Sequence, residues 1–166
     1  MRAAVIFAVG ACIAFAGCGR SDNNKTVTYS SQNGNVTVSS SGNGEHMVIQ
    51  SDNGKASVEI NTNGLGHVDL PPFAPLYPGA KVISSVTGAD KNGSRGSEVT
   101  FTTSAAPGDV IAFYKQRADG AGLTQTMNMQ EGNAMMMAAS KDKKSVTITA
   151  TKSGDGTQVL LIWGSD

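Results

Sequence analysis

The chain has 166 residues, of which 39% are hydrophobic and 16% charged, with 13 Lys+Arg against 13 Asp+Glu. Neither sign clusters, which argues against the basic face of a nucleic-acid binder, and no nucleic-acid partner is expected. The densest basic spot, "KDKK" at residues 141–144, reads as a solvated turn.

At the N-terminus, Met1-Arg2 precedes the apolar run "AAVIFAVGACIAFAG". The run is shorter than the ~20 residues a membrane-spanning helix needs. A positive start, a short apolar core and small residues at its end predict a secretory signal over residues 1–17. Ala14-Phe15-Ala16 fits an ordinary small-x-small cleavage site. Phe15-Ala16-Gly17-Cys18 instead resembles the bacterial lipobox, which implies a lipidated, palmitate-bearing Cys18 as first mature residue. Cysteine arithmetic favours the lipid: Cys12 leaves with the signal, so Cys18 has no disulfide partner. Residues 18–24 then read as a polar tether from a membrane surface. Gly19 stands where the family resembled often has an inner-membrane aspartate, so the resemblance points to the outer membrane.

Residues 25–64 form four ten-residue units, each ending in Asn-Gly: Asn33-Gly34, Asn43-Gly44, Asn53-Gly54 and Asn63-Gly64. Asn-Gly between alternating runs is a strong hairpin signal, because a type I′ turn needs positive φ at both central residues. A β-solenoid with a ten-residue coil would keep the same buried parity in every unit, whereas a meander must flip it at each turn. The apolar positions flip: Val27 and Tyr29, Val36 and Val38, Met47 and Ile49, Val58 and Ile60. A four-stranded antiparallel meander with one apolar face is therefore predicted, with Thr28, Thr37, His46, Val48 and Glu59 on the other. Turns centred on Asn-Gly would place Tyr29 opposite Val38 and Val38 opposite Ile49. Eight apolar side chains cannot offset the ordering of some forty residues. The apolar face is expected to pack on the rest of the chain, a second copy or a partner.

Residues 65–75 are Pro-rich, with Pro71, Pro72 and Pro75 followed by Pro78; they read as an extended connection. Residues 76–166 predict a ββαββββ module. "KVISSVT" and "SEVTFTT" flank the Gly-rich "GADKNGSRG", which reads as a hairpin tip. "AAPGDVIAFYKQRADGAG" is the helix, with Pro107 and Asp109 in its first turn and Gly120 or Gly122 as its stop. Val110, Phe113, Tyr114, Arg117, Ala118 and Ala121 share one face. Val146, Ile148 and Ala150 should pair with Val159, Leu161 and Trp163 across "SGDG". Leu160 and Ile162 make the last strand apolar on both sides, which suits a central strand or one covered by the meander. The predicted fold class is α+β, mostly β.

"PLYPGAKV", a Gly-rich gap, "VTFTTSAAPGDVIAFYKQRADGAGL" and "TQVLLIW" resemble a module of largely uncharacterised bacterial envelope lipoproteins. The resemblance covers residues 76–163 and implies envelope localisation and an α+β fold. Its motifs are structural, so it transfers no active site.

The residues assemble no catalytic constellation. His46 falls on the polar face of the meander and His67 in a loop, and no His-Glu-x-x-His, Cys-x-x-Cys, Gly-x-Ser-x-Gly or phosphate-loop spacing occurs. Asp109 and Asp119 read as solvated helix residues. "MNMQEGNAMMM", residues 127–137, holds five of the seven methionines. With Glu131-Gly132 as turn, Met127 pairs with Met136 and Met129 with Ala134, placing Met127, Met129 and Met136 on one face. Such thioethers are soft ligands that select Cu(I). The competing reading is core filler, with that face beneath the helix against Phe113 and Tyr114.

These observations predict a lipid-anchored envelope protein facing the periplasm, structural or adaptor-like in role. It is expected to be non-enzymatic and free of cofactor, held to the membrane through Cys18 and able to bind an envelope protein partner. The alternative is a Cu(I)-binding envelope protein using Met127, Met129 and Met136.

Overall fold

The computed structural model describes residues 25–31, 34–41, 46–51, 56–62, 64–65, 68–90 and 92–165. The signal, the tether with Cys18, His67 and the Asn-Gly pairs (Gly34 and Gly64 excepted) lie outside the described residues.

Among the described residues, ten strands and one helix follow one another: β1 (Lys25–Ser31), β2 (Gly34–Ser41), β3 (His46–Ser51), β4 (Ala56–Asn61), β5 (Lys81–Asp90), β6 (Arg95–Thr103), α1 (Pro107–Gly120), β7 (Thr124–Glu131), β8 (Ala134–Lys141), β9 (Lys144–Ser153) and β10 (Gly156–Ser165). All the strands join one antiparallel sheet in the order β1-β2-β3-β4-β5-β6-β10-β9-β8-β7. The fold is α+β and mostly β, as the alternation predicts. The meander does not pack on the second half; β4 pairs with β5, so both halves share one sheet.

Two expected registers hold. Val38 lies opposite Ile49, and Val159, Leu161 and Trp163 lie opposite Ala150, Ile148 and Val146. The first hairpin differs: Ser31 pairs with Gly34, so Val27 meets Val38 and Tyr29 meets Val36, two residues from the expected register. A two-residue slip leaves every side chain on its face, which is why the parity argument could not detect it. β10 lies between β6 and β9, the central position its apolar residues on both faces predict.

Helix α1 lies over β7, β8 and β9. Pro107 occupies its start and Asp109 its first turn. It ends in a Schellman motif: the Leu123 N–H donates to Ala118 O at 2.9 Å and the Gly122 N–H to Asp119 O at 2.9 Å, with Gly122 at φ +74°. The buried Leu123 and Ala118 are the hydrophobic pair that accompanies this motif. The buried face is Val110, Ile111, Tyr114 and Ala118, which corrects the predicted stripe. Ile111 joins the core, Ala121 is exposed beyond the last turn, and exposed Arg117 lies over the Phe113 ring at 5.0 Å.

The Pro-rich segment does more than connect. Residues 68–80 run as a strap over the same face as α1, with Phe73 and Ala74 buried and Leu70, Leu76 and Tyr77 packed on the core. Phe73 meets Trp163 edge-on at 6.4 Å, and the Tyr114 hydroxyl donates to Pro75 O at 2.9 Å. "YPGA" closes a turn: the Ala80 N–H donates to Tyr77 O at 3.0 Å with Gly79 at φ +73°. Pro followed by Gly at positive φ is the chemistry of a type II turn. Burial pushes the Tyr114 phenol well above its ordinary pKa, so it stays protonated and donates.

Tyr114→Phe removes the donor and leaves the Pro75 carbonyl without it. Urea denaturation should report a loss of about 1–2 kcal/mol. Unchanged stability would show that the strap is not held through this bond.

Candidate binding face

Antiparallel pairing carries side-chain alternation from strand to strand, so each sheet face can be read across all ten strands. One face is covered by α1 and the strap. It holds Phe101, Val99, Val146, Ile148, Ala150, Val159, Leu161, Trp163, Met137 and Ala139, all buried. The other face begins at the register positions of Val27 and Tyr29 and continues through Val36, Val38, Met47, Ile49, Val58 and Ile60. Ile60 lies opposite Val86, Val86 opposite Glu98, and Glu98 opposite Ile162, so β5, β6 and β10 extend the same face. Leu160 opposes Thr149, Thr149 opposes Met136 and Met136 opposes Met129, carrying it to the far edge.

The two faces differ in cover. None of Val36, Val38, Met47, Ile49, Val58, Ile60, Val86, Leu160 or Ile162 is buried; Val36 and Ile162 are each 39% exposed. Apolar side chains on the strap-and-helix face of β6, β9 and β10 are buried almost completely. Among the described residues, then, an apolar sheet face runs from one edge to the other without a covering layer. Glu98 and the threonines Thr100, Thr147 and Thr149 break it near the centre, leaving a meander half and a methionine half. A shallow depression lies on it by the β5–β6 hairpin, lined by Val58, Gly88, Asp90 and Gly96 among others. The Asp90 side chain accepts the N–H groups of Asn92 and Ser94, so the predicted hairpin tip is an ordered Asx-type turn.

The methionines divide between the faces, and the core-filler reading is corrected. The turn is Gly132-Asn133 rather than Glu131-Gly132: Glu131 pairs with Ala134, Met129 with Met136 and Met127 with Ala138. Met127, Met129 and Met136 do share a face, but it is the uncovered one, with Met127 44% and Met129 46% exposed. The helix covers Met137, which is 1% exposed, and Met135 packs beside it. β8 is apolar on both sides, so its alternation could not say which side the helix takes.

His46 sits on the polar face, as predicted, but in company that sequence reasoning treated separately. Its Nε2 lies 3.1 Å from Glu59 Oε1, Asn61 Nδ2 donates to the same oxygen at 3.1 Å, and Ser41 Oγ lies 3.4 Å from His46 Nδ1. Register carried the signal: Ser41 opposes His46, which opposes Asn61. A hydroxyl, imidazole and carboxylate in line resemble a nucleophile relay. The setting is instead a ladder of cross-strand hydroxyl pairs, Thr26–Ser39 at 3.2 Å, Thr28–Thr37 at 3.3 Å and Thr87–Ser97 at 2.9 Å. The network staples neighbouring strands. Among the described residues no group of three His, Cys, Asp or Glu side chains could hold a metal ion, and no helix is long and apolar enough to cross a membrane.

A family model described as START domain-like matches residues 83–157, from β5 through α1 to the start of β10. No curated protein and no solved structure matches the chain.

The division of methionines sets a contrast in stability. Met137→Ala should lose about 2–5 kcal/mol by opening a cavity under the helix. Met129→Ala, on the uncovered face, should stay within ~0.5 kcal/mol. Equal losses in thermal unfolding would overturn the assignment of the faces.

Proposed function

We propose that the protein is a lipid-anchored envelope protein that binds an apolar partner surface through the uncovered face of its sheet, without catalysing a reaction. The observation that carries this reading is the uncovered sheet face, whose meander half presents Val36, Val38, Met47, Ile49, Val58 and Ile60 with no layer over them among the described residues. Exposed apolar surface of this extent is costly in water and ordinarily marks an interaction site. The START domain-like match over residues 83–157 is compatible with a binding role. The anchor rests on the sequence: a short apolar leader, then Phe15-Ala16-Gly17-Cys18, then a polar tether that leads into the edge strand β1. Residues 18–24 reach at most about 25 Å when fully extended, which keeps the sheet close to the membrane surface.

A sheet face without a covering layer suits a partner that is itself broad and apolar. Glu98 and its threonine neighbours fix orientation, because a partner must leave room or hydrogen bonds for them. The polar face of the meander, stapled by His46, Glu59 and Asn61, needs no partner to satisfy its side chains.

Two measurements test the reading. Photo-reactive residues at Val38, Ile49 and Ile162 should crosslink to a common partner in the bacterial envelope, while one at Gln50 on the opposite face should not. Equal capture from Gln50 would remove the face from consideration. For the anchor, Cys18→Ala should abolish palmitate labelling and release the chain from membranes; labelling that survives it would place the lipid on another residue.

A further inference from the structure

We infer that the β7–β8 hairpin carries a Cu(I) site formed by the thioether sulfurs of Met127, Met129 and Met136, on the methionine half of the same uncovered face that the proposed function assigns to a partner. Met129 lies directly opposite Met136, and Met127 precedes Met129 by two residues on the same face. Directly opposed Cβ atoms are about 4.5–5.5 Å apart and diagonal ones about 7–8 Å. Each methionine has three rotatable side-chain bonds, so the three sulfurs can meet at one point above the ladder. Their neighbours across β8 and β9 are small: Ala138 opposes Met127, and Thr149 opposes Met136.

The ordinary use of methionine, filling irregular core gaps, is met on the other face by Met135 and Met137. Met127 and Met129 are 44% and 46% exposed on an edge strand, with no layer over them among the described residues. Packing within the protein's own core therefore does not account for three long thioethers gathered there. Their chemistry does: soft, neutral sulfur donors select Cu(I) over harder ions. Glu131, on the same face two residues beyond Met129, offers negative charge beside a site whose three ligands carry none. Thioethers have no proton to lose, so binding should not weaken in mild acid as it does for imidazole or thiolate ligands.

The test uses the full chain carrying Cys12→Ser and Cys18→Ser, so that no thiol competes. Cu(I) is titrated without oxygen against a colorimetric Cu(I) chelator, at neutral pH and at about pH 5. One Cu(I) per chain should be retained at both, with sulfur-only coordination by X-ray absorption. Met129→Leu and Met136→Leu, which conserve volume, should each lose the retained copper, while Met135→Leu on the covered face should keep it. Absence of retained copper, retention by both leucine variants, or loss at the lower pH would each overturn the site.

Discussion

The hydrogen-bonded seam between β4 and β5 determines most of the molecule's character. Antiparallel pairing transmits side-chain alternation without loss, so once Ile60 faces Val86 the apolar set of the meander must emerge on the same side as Ile162 and Leu160. The helix and the strap occupy the opposite side. A chain that had folded its meander back over the second half would have buried those residues as a sandwich. Joining the halves edge to edge instead gives a broad single layer whose second face has no layer over it among the described residues.

The covered face shows how complete the packing becomes where a second layer exists. Tyr114, Phe101, Ile148 and Leu161 are fully buried. Tyr77, Phe113 and Tyr114 form an edge-to-face series at 5.0 Å steps, tying the strap to the helix. Trp163 Nε1 is the exception, a buried donor with no partner among the described residues. An unmet donor of that kind costs about 1–3 kcal/mol, so the contact of Phe73 with Trp163 must hold by apolar burial and ring geometry alone. The polar half of this same sheet side, over the meander, solves the problem differently, with hydroxyl pairs and the His46 network in place of a core.

Much of this was legible in the residues because a period of two is a robust signal. The parity of the meander, the pairing of Val146, Ile148 and Ala150 with Val159, Leu161 and Trp163, and the central place of β10 all followed from alternation. What alternation cannot supply is a shift by two residues, since both registers present the same faces; the β1–β2 pairing turned on that. Nor can it choose a side for a strand that is apolar on both, as β8 is, so the helix's preference for Met137 over Met136 was invisible. The bulge between Gln125 and Met127 compounds this by breaking the count on β7. The strap had a readable signal that proline content masked: Leu70, Phe73, Leu76 and Tyr77 are more apolar than a solvated connection requires. His46 and Glu59 share a face by parity, and the β3–β4 register, with His46 opposite Asn61 and Val48 opposite Glu59, brings them together.

The order of strands in space also bears on how the chain folds. β1 to β4 pair in chain order, β5 follows after the strap and pairs with β4 and β6, and β7 to β9 form a second run of hairpins beyond the helix. Neither run touches the other until β10, which follows both in the chain, slots between β6 and β9. Its pairing with β6 closes a loop of more than fifty residues, the slow kind of contact in a β-rich topology. Until that closure, β6 and β9 each present an open edge lined with apolar side chains. The continuity of the whole sheet therefore rests on the last strand of the chain, whose two edges join the run that ends in β6 to the run that ends in β9.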